Sequence, residues 1–138
     1  MKEKYLKERW NYLNKRYDIK EAEFTNGMII HFDNYKIHHY CCVDKIELFF
    51  GEHYITNAYM DDLVHIRGVK PDEEDVKKLK NMYVNIGYNI DGRKYELTGR
   101  ILSVNNTNLF RLLNLLSSED GEHYTIYFSE IEWIKKVD

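Results

Sequence analysis

Two imidazoles stand beside two thiols in His38-His39-Tyr40-Cys41-Cys42, and these are the donor types of a zinc site. Neighbours on a strand point to opposite faces, so His38 would share a face with Cys42, and His39 with Cys41. Each face then offers two ligands where a closed site needs four, and the chain has no further cysteine. Adjacent cysteines make no disulfide framework either, so the run is expected to pack as reduced, half-buried strand, with no metal. His53 and His123 each follow a glutamate in a shared tetrapeptide, Gly51-Glu52-His53-Tyr54 and Gly121-Glu122-His123-Tyr124, at exposed turns. There is no nucleophile elbow, phosphate-cradling glycine loop or His-Glu-x-x-His helix, and Ser117-Ser118 falls in a loop. A protein without catalytic residues and without a cofactor is expected.

Residues suited to binding are more plentiful. The 138 residues include 12 Tyr, 6 Phe and 2 Trp. Tyrosine combines a large contact area with few rotatable bonds, which suits a recognition face, and with arginine it suits stacking on bases. The net charge of −3 gives no global basic field for a nucleic-acid backbone. The charge is nevertheless uneven: residues 1–20 carry seven Lys/Arg against three Asp/Glu, while Asp61-Asp62 and Asp72-Glu73-Glu74-Asp75 are acidic blocks. Candidate binding residues are therefore Lys7, Arg9, Lys15 and Arg16 near the N-terminus, with Arg93, Tyr95, Arg100, Arg111 and Tyr127 in the second half.

The elements that must carry these residues are read from periodicity. Tyr5, Leu6, Trp10, Leu13 and Tyr17 form an apolar stripe of helical spacing, predicting a helix over about 3–17 that packs on the protein or on a partner. From Asn26 the pattern becomes short β-type runs: 28–32, 35–43, 46–50, 53–59 and 63–66. Pro71 with acidic residues behind it, then Val76, Leu79 and Met82, predicts a second helix near 71–82. Strand runs resume at 83–90, 93–104, 109–116 and 122–128, and 131–137 closes the chain. The 109–116 run also fits a helical turn.

The shared tetrapeptide recurs after seventy residues, and the residues beyond each copy match in kind: Tyr59 to Ile66 against Tyr127 to Ile134. Asp33-Asn34 before Tyr35-Lys36-Ile37 parallels Asp91-Gly92 before Arg93-Lys94-Tyr95. Each half reads as a helix and then a meander of about five short strands, the order a duplication would leave.

The run Asp91 to Val104, with its Asp-Gly turn, Gly99 and flanking apolar alternation, is similar to the first Sm motif. Glu122 to Ile134 resembles the closing strands of such small SH3-like barrels. The resemblance covers about half the chain well and implies a helix followed by a five-strand barrel, with sheet edges that such proteins join into rings. Members that bind RNA carry an Ile-Arg-Gly step at the end of strand four. Here Ile66-Arg67-Gly68 falls after strand five, and the second half has Ile126-Tyr127-Phe128 in that place. The Asn105-Asn106-Thr107-Asn108 loop lies where the family places a base-contacting loop.

The expected fold is mainly β (α+β), as tandem SH3/Sm-like small barrels or a fused β-sandwich, with an N-terminal helix and a second helix near 71–82. The halves are expected at 1–70 and 71–138, packed as one compact unit. No stretch approaches the roughly 20 apolar residues that span a bilayer, and the charged N-terminus has no signal-peptide core, which points to the cytoplasm. The expected function is a non-enzymatic binding protein: a protein-binding adaptor or inhibitor, of the kind phages and mobile elements direct at a host system. The alternative is an RNA- or nucleotide-binding Sm-like protein. A protein partner is expected, with nucleic acid or a nucleotide as the alternative and a homodimer open.

Overall fold

The computed structural model describes residues 2–106 and 111–137. The chain is mainly β with an N-terminal helix, and it divides into two compact units, the first ending at Val69 and the second starting at Lys70. No described helix is long and apolar enough to cross a membrane.

Unit 1 opens with helix α1 (Lys2–Asn14), followed by strands β1 (Ile19–Phe24), β2 (Ile29–Phe32), β3 (Asn34–His39), β4 (Asp44–Phe50) and β5 (His53–Tyr59). A single 3-10 turn (Met60–Asp62) then leads into β6 (Leu63–Val69). The hydrogen-bonded orders are β2-β1-β6 and β3-β4-β5, and one residue, Asp33, separates β2 from β3. Unit 2 has helix α2 (Glu73–Lys77), then β7 (Tyr83–Ile90), β8 (Arg93–Asn106), β9 (Arg111–Ser117) and β10 (His123–Tyr127). Another 3-10 turn (Phe128–Glu130) leads into β11 (Ile131–Lys136), and the sheet order is β10-β9-β8-β7-β11. Taking β2 and β3 as one strand broken at Asp33, unit 1 has the same order as unit 2.

The likeness extends to single residues. Across β1–β6 the register passes from Phe24↔Leu63 to Glu23↔His65; across β11–β7 it passes from Ile131↔Tyr88 to Trp133↔Gly87. Both last strands thus bulge at the second residue after the 3-10 turn, Val64 and Glu132. Buried residues correspond as well: Ile46 with Leu113, Leu48 with Leu115, Met60 with Phe128, Leu63 with Ile131, and Ile66 with Ile134. The Lys2 ammonium donates to the Leu63 carbonyl, and that of Lys70 to the carbonyls of Ile131 (3.1 Å) and Phe128 (3.3 Å). Each 3-10 exit is therefore tied to a lysine at the start of its own unit. Burial draws the Lys70 amine below its ordinary basicity.

Several elements differ from their expected bounds. Helix α1 stops at Asn14, short of Tyr17, whose ring lies across Gly68, where an added Cβ would sit 2.0 Å from it. Strand β1 is absent from the periodicity reading altogether. Its alternation is half-buried/buried throughout, but the buried positions are Lys20, Ala22 and Phe24, so the inward face begins with a lysine. That ammonium donates to Asn14 Oδ1 (2.7 Å) and to the Asp18 carbonyl (3.3 Å), and lies 4.1 Å from the centre of the Trp10 ring. Buried charge is tolerable there because it is hydrogen-bonded and faces an aromatic ring. Helix α2 is a single turn with an Asp72–Asp75 capping box; Leu79 follows in turns that end at Asn81, φ +68°, and Met82 lies beyond them. Cys41 and Cys42 are exposed in the β3–β4 turn rather than half-buried in a strand. Asn105 and Asn106 still belong to β8, while Thr107 to Phe110 lie outside the described residues. Arg111–Ser117 is strand, not helical turn.

Candidate interaction surfaces

Strand β5 follows a tight turn at Gly51, whose φ of +62° and backbone N–H, donated 2.9 Å to the Asp33 carboxylate, fix the β4–β5 hairpin. Among the described residues β5 pairs with β4 alone, so its other edge carries unpaired backbone groups. Thr56 and Ala58 face inward beside Leu48 and Ile46, and Tyr54, Asn57 and Tyr59 lie on the opposite face. Tyr54 is 52 % and Tyr59 48 % exposed, with Phe50 and Ile55 exposed next to them. The Phe49 ring meets Tyr54 edge-on at 5.9 Å, Lys36 lies 5.3 Å from Phe49, and Lys45 lies 5.0 Å from Tyr59. Asn57 donates to the Tyr54 hydroxyl. The result is an aromatic face with two lysines and, between Lys36 and Asn57, Glu47, which faces His38; it ends in a free strand edge. Periodicity located the strand; its position at an edge needed the pairing order.

The N-terminal cations divide by role. Arg9 and Arg16 lie 5.1 Å and 4.4 Å from the Tyr12 ring, and each donates to a backbone carbonyl, Ile66 and Tyr12 respectively. Lys7 pairs with Glu3 at 3.3 Å, and Lys15 is exposed. In unit 2 the five predicted residues do not converge. Arg93 stands at the β7–β8 hairpin, where Tyr95 stacks on Tyr88 at 5.3 Å. Arg100 is seven residues further along β8, about 23 Å of strand, opposite Tyr83 and Leu116, with its Nε buried and unpaired. Arg111 pairs with Glu73 at 3.2 Å, and Tyr127 lies opposite Leu112 on β10.

Four histidines of unit 1 face carboxylates, an arrangement that spacing alone did not reveal. His31 bonds Glu21 at 3.0 Å on the outer face of β1–β2, and Arg67 bonds the same carboxylate from β6. Their hydrogen bonds, that of His31 foremost, hold the Glu21 carboxyl below its ordinary range. His65 lies 3.5 Å from Glu23, and His38 2.5 Å from Glu47, out of line for a hydrogen bond. His39 bonds Asp44 at 2.8 Å and lies 3.6 Å from Glu3; the hydrogen bond to Asp44 raises its imidazole above the ordinary value. Glu3, His39 and Asp44 are the one group among the described residues that gathers three metal-type donors, within 4.8 Å of one another. Lys7 already neutralises Glu3 there, and the two thiols stand on the adjoining turn. His53 and His123 both lie exposed at the starts of their strands. No protein-family model matches the chain, and no curated protein matches it either.

Proposed function

We propose that this chain is a non-enzymatic binding protein, built as two small SH3-like barrels in tandem, that acts as an adaptor or inhibitor by holding a protein partner. The barrel reading is supported by the order of each unit, in which the last strand pairs with the first and a 3-10 turn precedes it. That order also favours the likeness to Sm-type proteins drawn from Asp91 to Val104.

One observation carries the protein-binding reading: β5, one of several strands at sheet ends, combines its unpaired edge with exposed Tyr54, Ile55 and Tyr59. Edges left long and apolar invite another strand, and proteins that do not use them blunt them with charge, proline or cover. Tyrosine at such an edge supplies the contact area typical of a binding centre. The RNA or nucleotide alternative needs its cations gathered along one track, and Arg93, Arg100 and Arg111 are spread over the sheet.

The test is site-specific photo-crosslinking in the native host, with a photoreactive phenylalanine at Tyr54 or Tyr59, and at Tyr95 as the control. A discrete protein adduct is expected from the β5 positions and not from Tyr95. Nucleic-acid adducts, or none at β5, would sink the reading.

A further inference from the structure

The two units differ where their fourth strands face the core. Unit 2 sets Tyr124 and Ile126 inward on β10, paired with Leu115 and Leu113. The equivalent places on β5, paired with Leu48 and Ile46, hold Thr56 and Ala58. The facing residues correspond, but small side chains replace large ones, and β5 is longer and bulges at Ile55 where β10 does not. The inward row of β5 is therefore lower than that of β10, a step of two small residues beside its free edge. A strand laid along β5 would set alternate side chains against Thr56 and Ala58, where apolar groups extend the core row.

The outward side has its own chemistry. Lys45 reaches across from β4 to 5.0 Å from the centre of the Tyr59 ring, on the face that the outward residues of an added strand would share. No carboxylate lies within ion-pairing distance of Lys45 among the described residues. By contrast, the neighbouring His38 and His39 each have one. A carboxylate opposite Tyr59 would meet that ammonium beside an aromatic ring, partly shielded from water.

We propose that the β5 edge receives an extended acidic segment of its partner by strand addition, with apolar residues at alternate positions over Thr56 and Ala58 and a carboxylate directed at Lys45. This names the partner chemistry of the site above and rests on the protein-binding reading.

The full chain, labelled with 15N, is titrated with two acetylated nine-residue peptides, one alternating valine with glutamate and one alternating valine with lysine. Amide shifts from the glutamate peptide are expected to centre on residues 53–59, with at least fivefold tighter binding than the lysine peptide. Lys45→Glu is expected to reverse that preference, which a loss of folding would not do. Ala58→Phe fills the step and is expected to abolish binding of both. Equal binding of the two peptides, or no shift at β5, overturns the inference. So does an oligothymidylate that moves the same amides more strongly, or a dimer of this chain formed through β5 alone. A β5 crosslink in the host to a segment without acidic residues would overturn the acidic assignment and leave the protein-binding reading standing. Absence of any β5 protein adduct removes both.

Discussion

A methyl group at Gly99 would lie 2.4 Å from the Leu116 carbonyl oxygen and 2.9 Å from Leu115 Cδ2. The oxygen belongs to the backbone of a paired strand and cannot swing aside, so β8 and β9 would have to separate. Gly99→Ala is expected to destabilise unit 2 by about 3 kcal/mol, read as a lower denaturant midpoint for that unit. An unchanged midpoint would show that the two strands yield at no cost. The position was visible in the sequence as the later glycine of the Asp91 to Val104 pattern, but the reason for it was not, since the obstructing atoms belong to a strand well downstream, at Leu115 and Leu116. Lys20 was opaque for the opposite cause. A charged residue in an inward slot breaks the alternation that reveals a strand, and its satisfaction by Trp10 and Asn14 depends on where the helix lands.

At the level of elements, hydrogen bonds between strands give unit 1 its own response to pH. His39 has its imidazole raised above the ordinary value of 6.5, so its link to Asp44 stabilises the fold below that value and is lost as pH rises through the raised one. Glu21 is held below the ordinary value of 4.5, so its pairing with His31 and Arg67 stabilises above that value and is lost as pH falls through the lowered one. Unit 1 is therefore expected to be most stable between about pH 4.5 and 6.5. The size is modest because water screens both pairs at the surface. Thermal melts across pH, with amide signals of β3 and β4 as the readout, check this; in His39→Gln the decline above pH 6.5 should flatten. An identical decline in the variant would assign it to another group. A strand with clean alternation, such as 46–50, was legible because both faces follow the pleat. The short form of α2 was hidden, because Val76, Leu79 and Met82 keep helical spacing while the backbone turns away at Asn81.

The whole molecule repeats one plan, with the same strand order, the same bulge after the 3-10 turn and the same lysine tie in each unit. Each unit has a core of its own, drawn from its own helix and strands. Residues 70–138 produced alone are thus expected to melt cooperatively with native-like amide dispersion, although a chain this short keeps only a small margin of stability. A broad, non-cooperative melt would mean that unit 2 needs unit 1. The repeat was partly legible from Gly-Glu-His-Tyr. Its true period in the last strands is two residues shorter than the tetrapeptide spacing, because β5 has seven residues where β10 has five.

The lysine tie also bears on how the chain is digested. Junctions between compact units are where proteases usually nick a chain, and the residue after Val69 is a lysine, the side chain a trypsin-like enzyme must draw into its pocket. At Lys70 that side chain is already engaged by the carbonyls of Phe128 and Ile131. A trypsin-like enzyme is refused there twice over: the far end of the unit holds the Lys70 side chain, and the next residue, Pro71, blocks cleavage of the bond that follows.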